Sequence, residues 1–553
     1  MTRILALFLA VSLTVAPASA VWPLPQSFQT GSSALRLSPR FDIQLSVNHA
    51  SQDLRDAVSR TKFHLKNDKL GRLVVGRGSS DEQAVASAPT LALLTLSLTG
   101  PGSESIATEA QKLLGERDEA YALSIPSDGS TATITANSTL GLYRGLTTFE
   151  QLWYHYNGHT YTIQAPIEVE DFPAYPYRGL MLDTARNYFP VDDIKRTLDA
   201  MSMVKINTFH WHVVDSQSFP LQIPGFENIS AAGAYASSSV YSAANVRDIV
   251  SYAGARGIDV IMEIDTPGHT SVISKAYPEH IACPESTPWA TYANEPPAGQ
   301  LRFVQPETAE FAANLLGAAA ALTSSAYFNT GGDELNTACY EQDEPTTAIL
   351  NQTGLTLYDA LDNFTATTHK RLIDSGKTPI VWEEMVLNYN VTSLSNETLV
   401  LVWISSNNVA AVAQKGYKLI HAASDYFYLD CGAGAWVGDF PQGNSWCDPF
   451  KSWQKSYTFD PVSGLTETEK TLVQGGQHLL WTEQSGPENL DSIVWPRAAS
   501  SAELFWSGPG GNVSAALPRL HNVAYRMRTR GVKAISLQPE WCAIRPGVCD
   551  LTA

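Results

Sequence analysis

Short apolar runs recur along the second part of the chain, each closing in polar or aromatic residues: Gly179–Asp183, Asn207–Val214, Asp259–Asp265, Tyr327–Gly331, Pro379–Trp382, Leu399–Trp403, Lys418–Ala422 and His478–Trp481. Stretches with helical spacing lie between most of them. Strand-like runs alternating with helical stretches build a parallel sheet. Eight such units predict a (β/α)8 TIM barrel, whose chemistry collects at the C-terminal ends of its strands. The repeat is uneven. Strands five to six and six to seven are joined by about 16 residues or fewer, whereas a helical crossover takes a dozen or more. Asn388–Glu397 reads as a loop, so one outer helix is expected to be short or missing. Thr266–Ser325 and Gly432–Gly476 are long enough to shape a pocket mouth, and helical patterns at Ala499–Trp506 and Leu517–Arg530 close the barrel.

Ahead of the barrel the pattern differs. Residues 21–170 predict a small α+β domain with strand-like runs at Leu73–Val75, Leu91–Leu98 and Thr131–Thr135. A helix is expected over Leu140–Trp153, where Leu142, Leu146, Phe149 and Trp153 share one face. No convergent polar cluster marks a site there. The Pro-punctuated segment from Glu170 to Pro176 reads as a linker, which leaves residues 171–553 as barrel plus C-terminal helices. More than one domain suits a chain of 553 residues, because a single core stops growing at about 250–300.

The first 20 residues read as a secretory signal. Arg3 gives a basic start, Ile4–Val15 is apolar but too short to span a bilayer, and Ala18-Ser19-Ala20 fits a cleavage site. No later run reaches the ~20 apolar residues of a membrane span. Export predicts glycosylation and disulfides. Seven sequons occur, at Asn137, Asn228, Asn351, Asn363, Asn390, Asn396 and Asn512. Six cysteines permit three disulfides; pairing sequence neighbours gives Cys283–Cys339, Cys431–Cys447 and Cys542–Cys549. Secretion is the expectation, with a vacuolar or cell-wall destination left open. A net charge of −18 argues against nucleic-acid and anionic-membrane partners and is compatible with a neutral substrate. Thirteen Trp and 22 Tyr supply ring faces on which sugars can rest.

Candidate chemistry sits at the predicted strand ends. The fourth strand runs into Gly331-Gly332-Asp333-Glu334. Adjacent carboxylates resist ionising together, so one pKa should rise, as a general acid requires. Taken alone the motif also fits a solvated loop, since charged pairs usually sit at the surface. Strand one ends in Asp183-Thr184-Ala185-Arg186, where Arg186 is expected to pair with Asp183. Strand two carries His210-Trp211-His212 and Asp215. The two imidazoles share a face and would suit a metal pair only with further ligands, so hydrogen-bonded core histidines are the expectation. Strand three gives Asp265-Thr266-Pro267-Gly268-His269, whose Pro-Gly turn presents His269 at the mouth. Later ends supply Trp382 with Glu383 and Glu384, Trp403, then Tyr426, Tyr428 and Asp430, and finally Trp481 and Glu483. Three Trp at strand ends could wall a compact apolar pocket.

In this order, Arg178-Gly179 to Arg186, His210-Trp211-His212 with Asp215, Asp265 to Thr270, Gly331 to Glu334, and Trp495-Pro496-Arg497 to Trp506 resemble the motif set of glycoside hydrolase family twenty, the β-N-acetylhexosaminidases. The resemblance covers about residues 21–530, including the small domain. It implies an exo-acting enzyme, without cofactor or metal, that releases terminal N-acetylhexosamine from oligosaccharides. It also implies a homodimer. The substrate's own 2-acetamido oxygen serves as nucleophile, the exception among retaining glycosidases. By resemblance Glu334 is acid and base, Asp333 holds the acetamido N–H, and Tyr428, preferred to Tyr426, donates to the acetamido oxygen. Trp382, Trp403 and Trp481 box the methyl, Arg178 and Glu483 grip the sugar hydroxyls, Asp430 touches the sugar, and Asp215 and His269 tune Glu334. One geometric obstacle stands: neighbours on a strand face opposite ways, so Asp333 and Glu334 share a pocket only if the strand has already bent.

Three other readings compete. A retaining pair of Glu334 with Glu483 as nucleophile would cleave glycosides that lack an acetamido group, with carboxyls about 5–5.5 Å apart. A metal-dependent barrel hydrolase would use His210 and His212. A sugar-binding protein without catalysis would have no use for the coupled acid pair.

Overall fold

A computed structural model describes residues 20–100, 104–438 and 441–553. The signal segment lies outside the described residues except for Ala20. No helix among them is long and apolar enough to cross a membrane.

The small domain is a six-stranded sheet built from β1 (Ser27–Ser46), β2 (Thr90–Leu98), β3 (Tyr121–Ile125), β4 (Ala132–Ala136), β5 (Tyr154–Tyr156) and β6 (His159–Asp171). Their order is β1-β2-β4-β3-β6-β5, and β1 also pairs with β6. The helix Thr139–Gln151 lies on this sheet, its start capped by Ser138, whose Oγ accepts from Gly141 N. It comes in close because Gly141 and Gly145 carry no side chain; a Cβ there would meet Ala120 O at 2.3 Å and Ile134 Cγ2 at 2.6 Å. The expected strand at Leu73–Val75 does not form. That stretch turns into 3-10 geometry from Val75, and glycines at 76 and 78 take left-handed φ.

Eight strands then close a parallel barrel in chain order: β7 (Tyr177–Asp183), β8 (Thr208–Val214), β9 (Asp259–Ile264), β12 (Tyr327–Asn329), β13 (Thr378–Trp382), β14 (Leu399–Val402), β15 (Lys418–His421) and β16 (Val473–Leu480). The intervening β10 (Ile281–Ala282) and β11 (Gln300–Leu301) pair only with each other, in the loop after β9. Alternation along the strands sorts the core into two layers. Leu180, Leu182, Phe209, Trp211 and Val213 pack outward under the helices, while Met181, Ile261, Ile380, Trp382, Leu401 and Leu479 pack inside the barrel. Full helices Val191–Met203, Ala243–Gly254, Pro306–Ala320 and Leu357–Asp374 cover the first half. After β13 only the single turn Glu384–Leu387 remains, the shortened helix expected from the brief connection.

The small domain stops the barrel's N-terminal mouth. Leu114 packs against the inner layer and its N–H donates to Tyr327 Oη, 2.9 Å away, while Arg117 pairs with Asp259 at 2.8 Å. The C-terminal helix Val513–Thr529 clamps both domains: Arg526 donates to the carbonyls of Glu150, Gln151 and Trp153, and Arg519 pairs with Glu503 at 2.6 Å. The cysteines form Cys283–Cys339, Cys431–Cys447 and Cys542–Cys549. All seven sequon asparagines are exposed.

Candidate active site

β12 ends at Asn329, before the acids arrive. Gly331 (φ 72°), Gly332 (φ 101°) and then Glu334 (φ 52°) take left-handed backbone, so the chain turns and both carboxyls reach one pocket. Contact as well as conformation demands glycine here. A Cβ at Gly331 would meet Asp265 Oδ1 at 1.8 Å, and one at Gly332 would meet Met385 at 2.5 Å. Asp265 Oδ1 instead accepts the Gly332 N–H at 2.8 Å.

The two acids sit in opposite electrostatic settings. Burial, then the neighbouring Asp265 carboxylate, push Asp333 well above the usual carboxyl range, and Asp265 itself rises by burial to about 6. Glu334 goes the other way. Burial would raise it, but His269 lies 3.4 Å from its Oε2, and that contact with its charge holds Glu334 below the ordinary value. The pair therefore does separate, yet it is Asp333 that rises, because the cation stands beside Glu334. Asp333 Oδ1 is buried and has no hydrogen-bond partner.

Behind Glu334 the groups form a line. His269, itself at φ 50°, presents Nε2 to Glu334 and Nδ1 to Asp215 Oδ1 at 3.1 Å. Burial opposes its charge, but Asp215 and Glu334 hold His269 well above the usual imidazole value. Asp215 is fully buried and takes Arg186 Nη1 at 2.9 Å and His212 Nε2 at 2.8 Å. Against the cost of burial, these cations keep it well below the usual range.

An aromatic wall follows the strand ends. Centroids of Trp382 and Trp481 lie 6.2 Å apart, those of Trp481 and Tyr428 6.3 Å, and Tyr428 faces Trp403 nearly parallel at 6.3 Å. Indole N–H groups are spent on acids, Trp382 on Glu263 at 2.9 Å and Trp403 on Glu384 at 2.8 Å, which fixes the rings. Tyr428 is buried and feels the charges of Asp333 and Glu334; Tyr426 packs away on Phe427 and Phe459. Asp430, whose Oδ1 accepts from Trp481 N, is raised by burial to about 7, and Glu483 is raised well above the usual range.

One expected residue belongs elsewhere. Arg178 opens β7 rather than closing it, so its side chain lies at the N-terminal end of the barrel. There it pairs with Glu119 at 2.6 Å and donates to the carbonyls of Lys205 and Tyr175. The arginine of the pocket is Arg186, beyond the end of the same strand. Its contact with Asp183 is the loose one, at 3.4 Å; it pairs more closely with Asp215 and Glu295, and its guanidinium lies 5.0 Å above Trp481. Strand polarity carried this signal, since only residues past a barrel strand's C-terminus reach the active face. Asp265 and Glu263, part of the strand-three motif but given no role, also bear on the site; missed altogether were Asn294, whose side chain helps lower Glu334, and Glu295. The last two come from the loop after β9, where no periodic pattern marks a residue. Trp446 stands edge-on to Trp403 and Tyr428 from the Cys431–Cys447 loop.

His210 and His212 are core groups. His210 Nε2 lies 2.5 Å from Glu263 and 3.1 Å from Asn329, and its Nδ1 3.0 Å from Gln477, while His212 faces Asp215 and Glu263.

Residues 175–509 match the model of the glycosyl hydrolase family 20 catalytic domain, and residues 21–152 match a beta-acetyl hexosaminidase-like domain. A beta-hexosaminidase of Arthroderma benhamiae is 34% identical over 91% of this chain and 86% of its own. A chitooligosaccharidolytic beta-N-acetylglucosaminidase of Bombyx mori is 36% identical over 79% of this chain and 75% of its own. Among solved structures, a Flavobacterium johnsoniae chitobiase superposes with a TM-score of 0.74 at 26% identity, covering 93% of this chain and 73% of that one.

Proposed function

This chain belongs to glycosyl hydrolase family 20, and we propose that it is an exo-acting β-N-acetylhexosaminidase working by substrate assistance on chito-oligosaccharides or related glycans. The observation that carries the mechanism is the buried, unpartnered Asp333 Oδ1 beside an aromatic wall. An acceptor left unpaired in a buried site costs free energy until a ligand donor meets it. An acetamido N–H is such a donor, and its methyl suits the space that Trp382, Trp403 and Trp481 line.

In this reading Asp333 accepts from the acetamido N–H and turns the acetamido oxygen toward the anomeric carbon, while Tyr428 donates to that oxygen. Glu334 gives its proton to the glycosidic oxygen as the C1–O bond breaks and the acetamido oxygen bonds to C1. The leaving alcohol departs with the proton. Glu334, now ionised, takes a proton from the water that attacks C1, which restores the acetamido group and regenerates the acid. The Asp215–His269 pair supplies and holds the proton that Glu334 must carry. Asp333, protonated in the empty site, gives up that proton to solvent as the acetamido N–H docks, and its carboxylate then faces the positive charge of the oxazolinium ion. Arg186 and Glu483 grip the sugar hydroxyls, and Asp430 contacts the ring.

The enzyme is also proposed to be secreted, glycosylated and homodimeric. Three disulfides and seven exposed sequons support export; light scattering of the mature protein reads the assembly. The deciding experiment compares nitrophenyl N-acetyl-β-glucosaminide with the plain β-glucoside for wild type, Asp333→Asn and Glu334→Gln. Cleavage of the acetamido substrate alone, with both variants crippled, is expected. Equal cleavage of both substrates would move Glu483 into a nucleophile's place.

A further inference from the structure

Behind the Asp215–His269–Glu334 line lies a second, deeper group of charges that the reaction as written leaves idle. His212 projects inward from β8. Its Nε2 is 2.8 Å from Asp215 Oδ2, and its Nδ1 is 3.3 Å from Glu263 Oε2, an ion-pair contact outside hydrogen-bond angles. Glu263 comes from β9 and is also held by His210 at 2.5 Å and by the Trp382 indole N–H at 2.9 Å. All of these side chains are buried. We infer that His212 is a positioning residue for the acid step: set between Glu263 and Asp215, it occupies Asp215 Oδ2 and offsets that carboxylate, so that the proton shared by His269 and Glu334 stands on Glu334 when the leaving group departs.

Cations on two sides compete for one carboxylate. Asp215 divides its two oxygens: Oδ2 takes His212 and Arg186, while Oδ1 takes His269 and the Ser216 N–H. A lone carboxylate at 3.1 Å would trap the proton on His269, leaving Glu334 anionic and useless as an acid. Cations on the far oxygen weaken that pull, and among buried side chains they are screened far less than in water. The groups facing His212 complete the account: Glu263 from β9, Asp215 and Arg186 from the loops after β8 and β7, and the Trp481 ring, edge-on at 4.9 Å. Burial opposes its charge, but the two carboxylates hold it at about 10, so it stays cationic across the working range. Arg186 alone cannot serve, because it is shared with Glu295 and Asp183 and stands at the pocket surface for the sugar.

This inference rests on Glu334 being the acid, and leaving groups separate the two ideas. A dinitrophenyl glycoside needs no proton on its leaving oxygen, whereas a phenyl or sugar leaving group does. For His212→Gln, which keeps a donor for Asp215 but not the charge, kcat/KM on phenyl N-acetyl-β-glucosaminide should fall roughly tenfold or more beyond any fall on the dinitrophenyl substrate. The alkaline limb of its pH profile should move upward, since removing a cation raises the proton affinity of the His269–Glu334 pair. Glu263→Gln should give the same pattern above neutral pH, and the double variant should be far from additive. Equal losses on both substrates with an unmoved profile would make His212 a packing residue and overturn the inference. Glu334→Gln is the control: if it shows no leaving-group dependence, the assignment of Glu334 as acid fails first.

Discussion

Arg178 and Arg186 flank one strand and do unrelated work. Arg178 is fully buried at the domain junction, sharing Glu119 with Arg144. Burial costs Glu119, yet the two guanidiniums hold it at about 2. Arg178→Lys keeps a charge but loses the fork that reaches Glu119 and two carbonyls at once. It should cost roughly 3 kcal/mol of stability, as a broken buried pair does, while kcat/KM of the folded enzyme stays near wild type. Arg186→Lys should do the reverse, lowering kcat/KM roughly 100-fold by loosening substrate and Asp215 together, with a smaller change in melting temperature. Denaturant melts beside Michaelis kinetics of both variants read the difference; loss of activity in Arg178→Lys without loss of stability would return that residue to the site. The sequence offered both arginines in one motif, and only the direction of β7 separates them. By contrast Asp333, Glu334, His269 and Tyr428 were legible, because each follows an apolar run at the end where barrels keep their chemistry.

At the scale of elements, strands buried on both faces wrote themselves into the sequence. β8, with every residue buried, is an apolar and aromatic stretch apart from Thr208 and its two histidines. β1 left no such trace: over 20 residues most positions are exposed or half-buried, so its partners rather than its composition make it a strand. Loops were least legible, and the site depends on them. Tyr428 precedes the Cys431–Cys447 loop by a few residues, and Trp446 reaches back from it onto Trp403 and Tyr428. A disulfide spanning 16 residues restrains the open chain by about 3 kcal/mol. The variant Cys431→Ser/Cys447→Ser should therefore keep the barrel but loosen this wall. KM for a chito-oligosaccharide should rise several-fold, more than KM for a nitrophenyl monosaccharide. A uniform fall in kcat with KM unchanged would show that the loop touches only the chemistry.

For the whole molecule, the buried titrating groups fix the pH of greatest stability. Burial raises a set of carboxyls, among them Asp265 to about 6, Glu383 and Asp430 to about 7, and Asp333, Glu384 and Glu483 well above the ordinary range. Burial lowers a smaller set of imidazoles, most of all His369 and His421 to about 4 and His478 to about 3. At about pH 5 the unfolded chain protonates those imidazoles and ionises those carboxyls, and the folded chain does the opposite. The folded state then holds more protons, so stability falls as pH rises from there toward 7. His212 adds to the slope: its stabilisation is complete below its unfolded value of about 6.5 and is lost as pH climbs toward its folded value of about 10. Below about pH 4 the sign reverses. Glu119, at about 2 in the folded state, stabilises above its unfolded value of about 4.3, and that contribution disappears as pH falls through 2. Glu150, Glu263 and Asp215, all lowered by their cations against the cost of burial, act on the same side. Stability should peak in mild acid, with a melting temperature several degrees higher at about pH 5 than at about 7.5 and a steep loss below about 3.5. Calorimetry of the ligand-free enzyme tests it, since a bound sugar would add its own stabilisation. A melting temperature that rises between about pH 5 and 7.5 would refute the proton count, and Glu383→Gln with Asp430→Asn, which remove two of the raised groups, should flatten the slope in the same experiment.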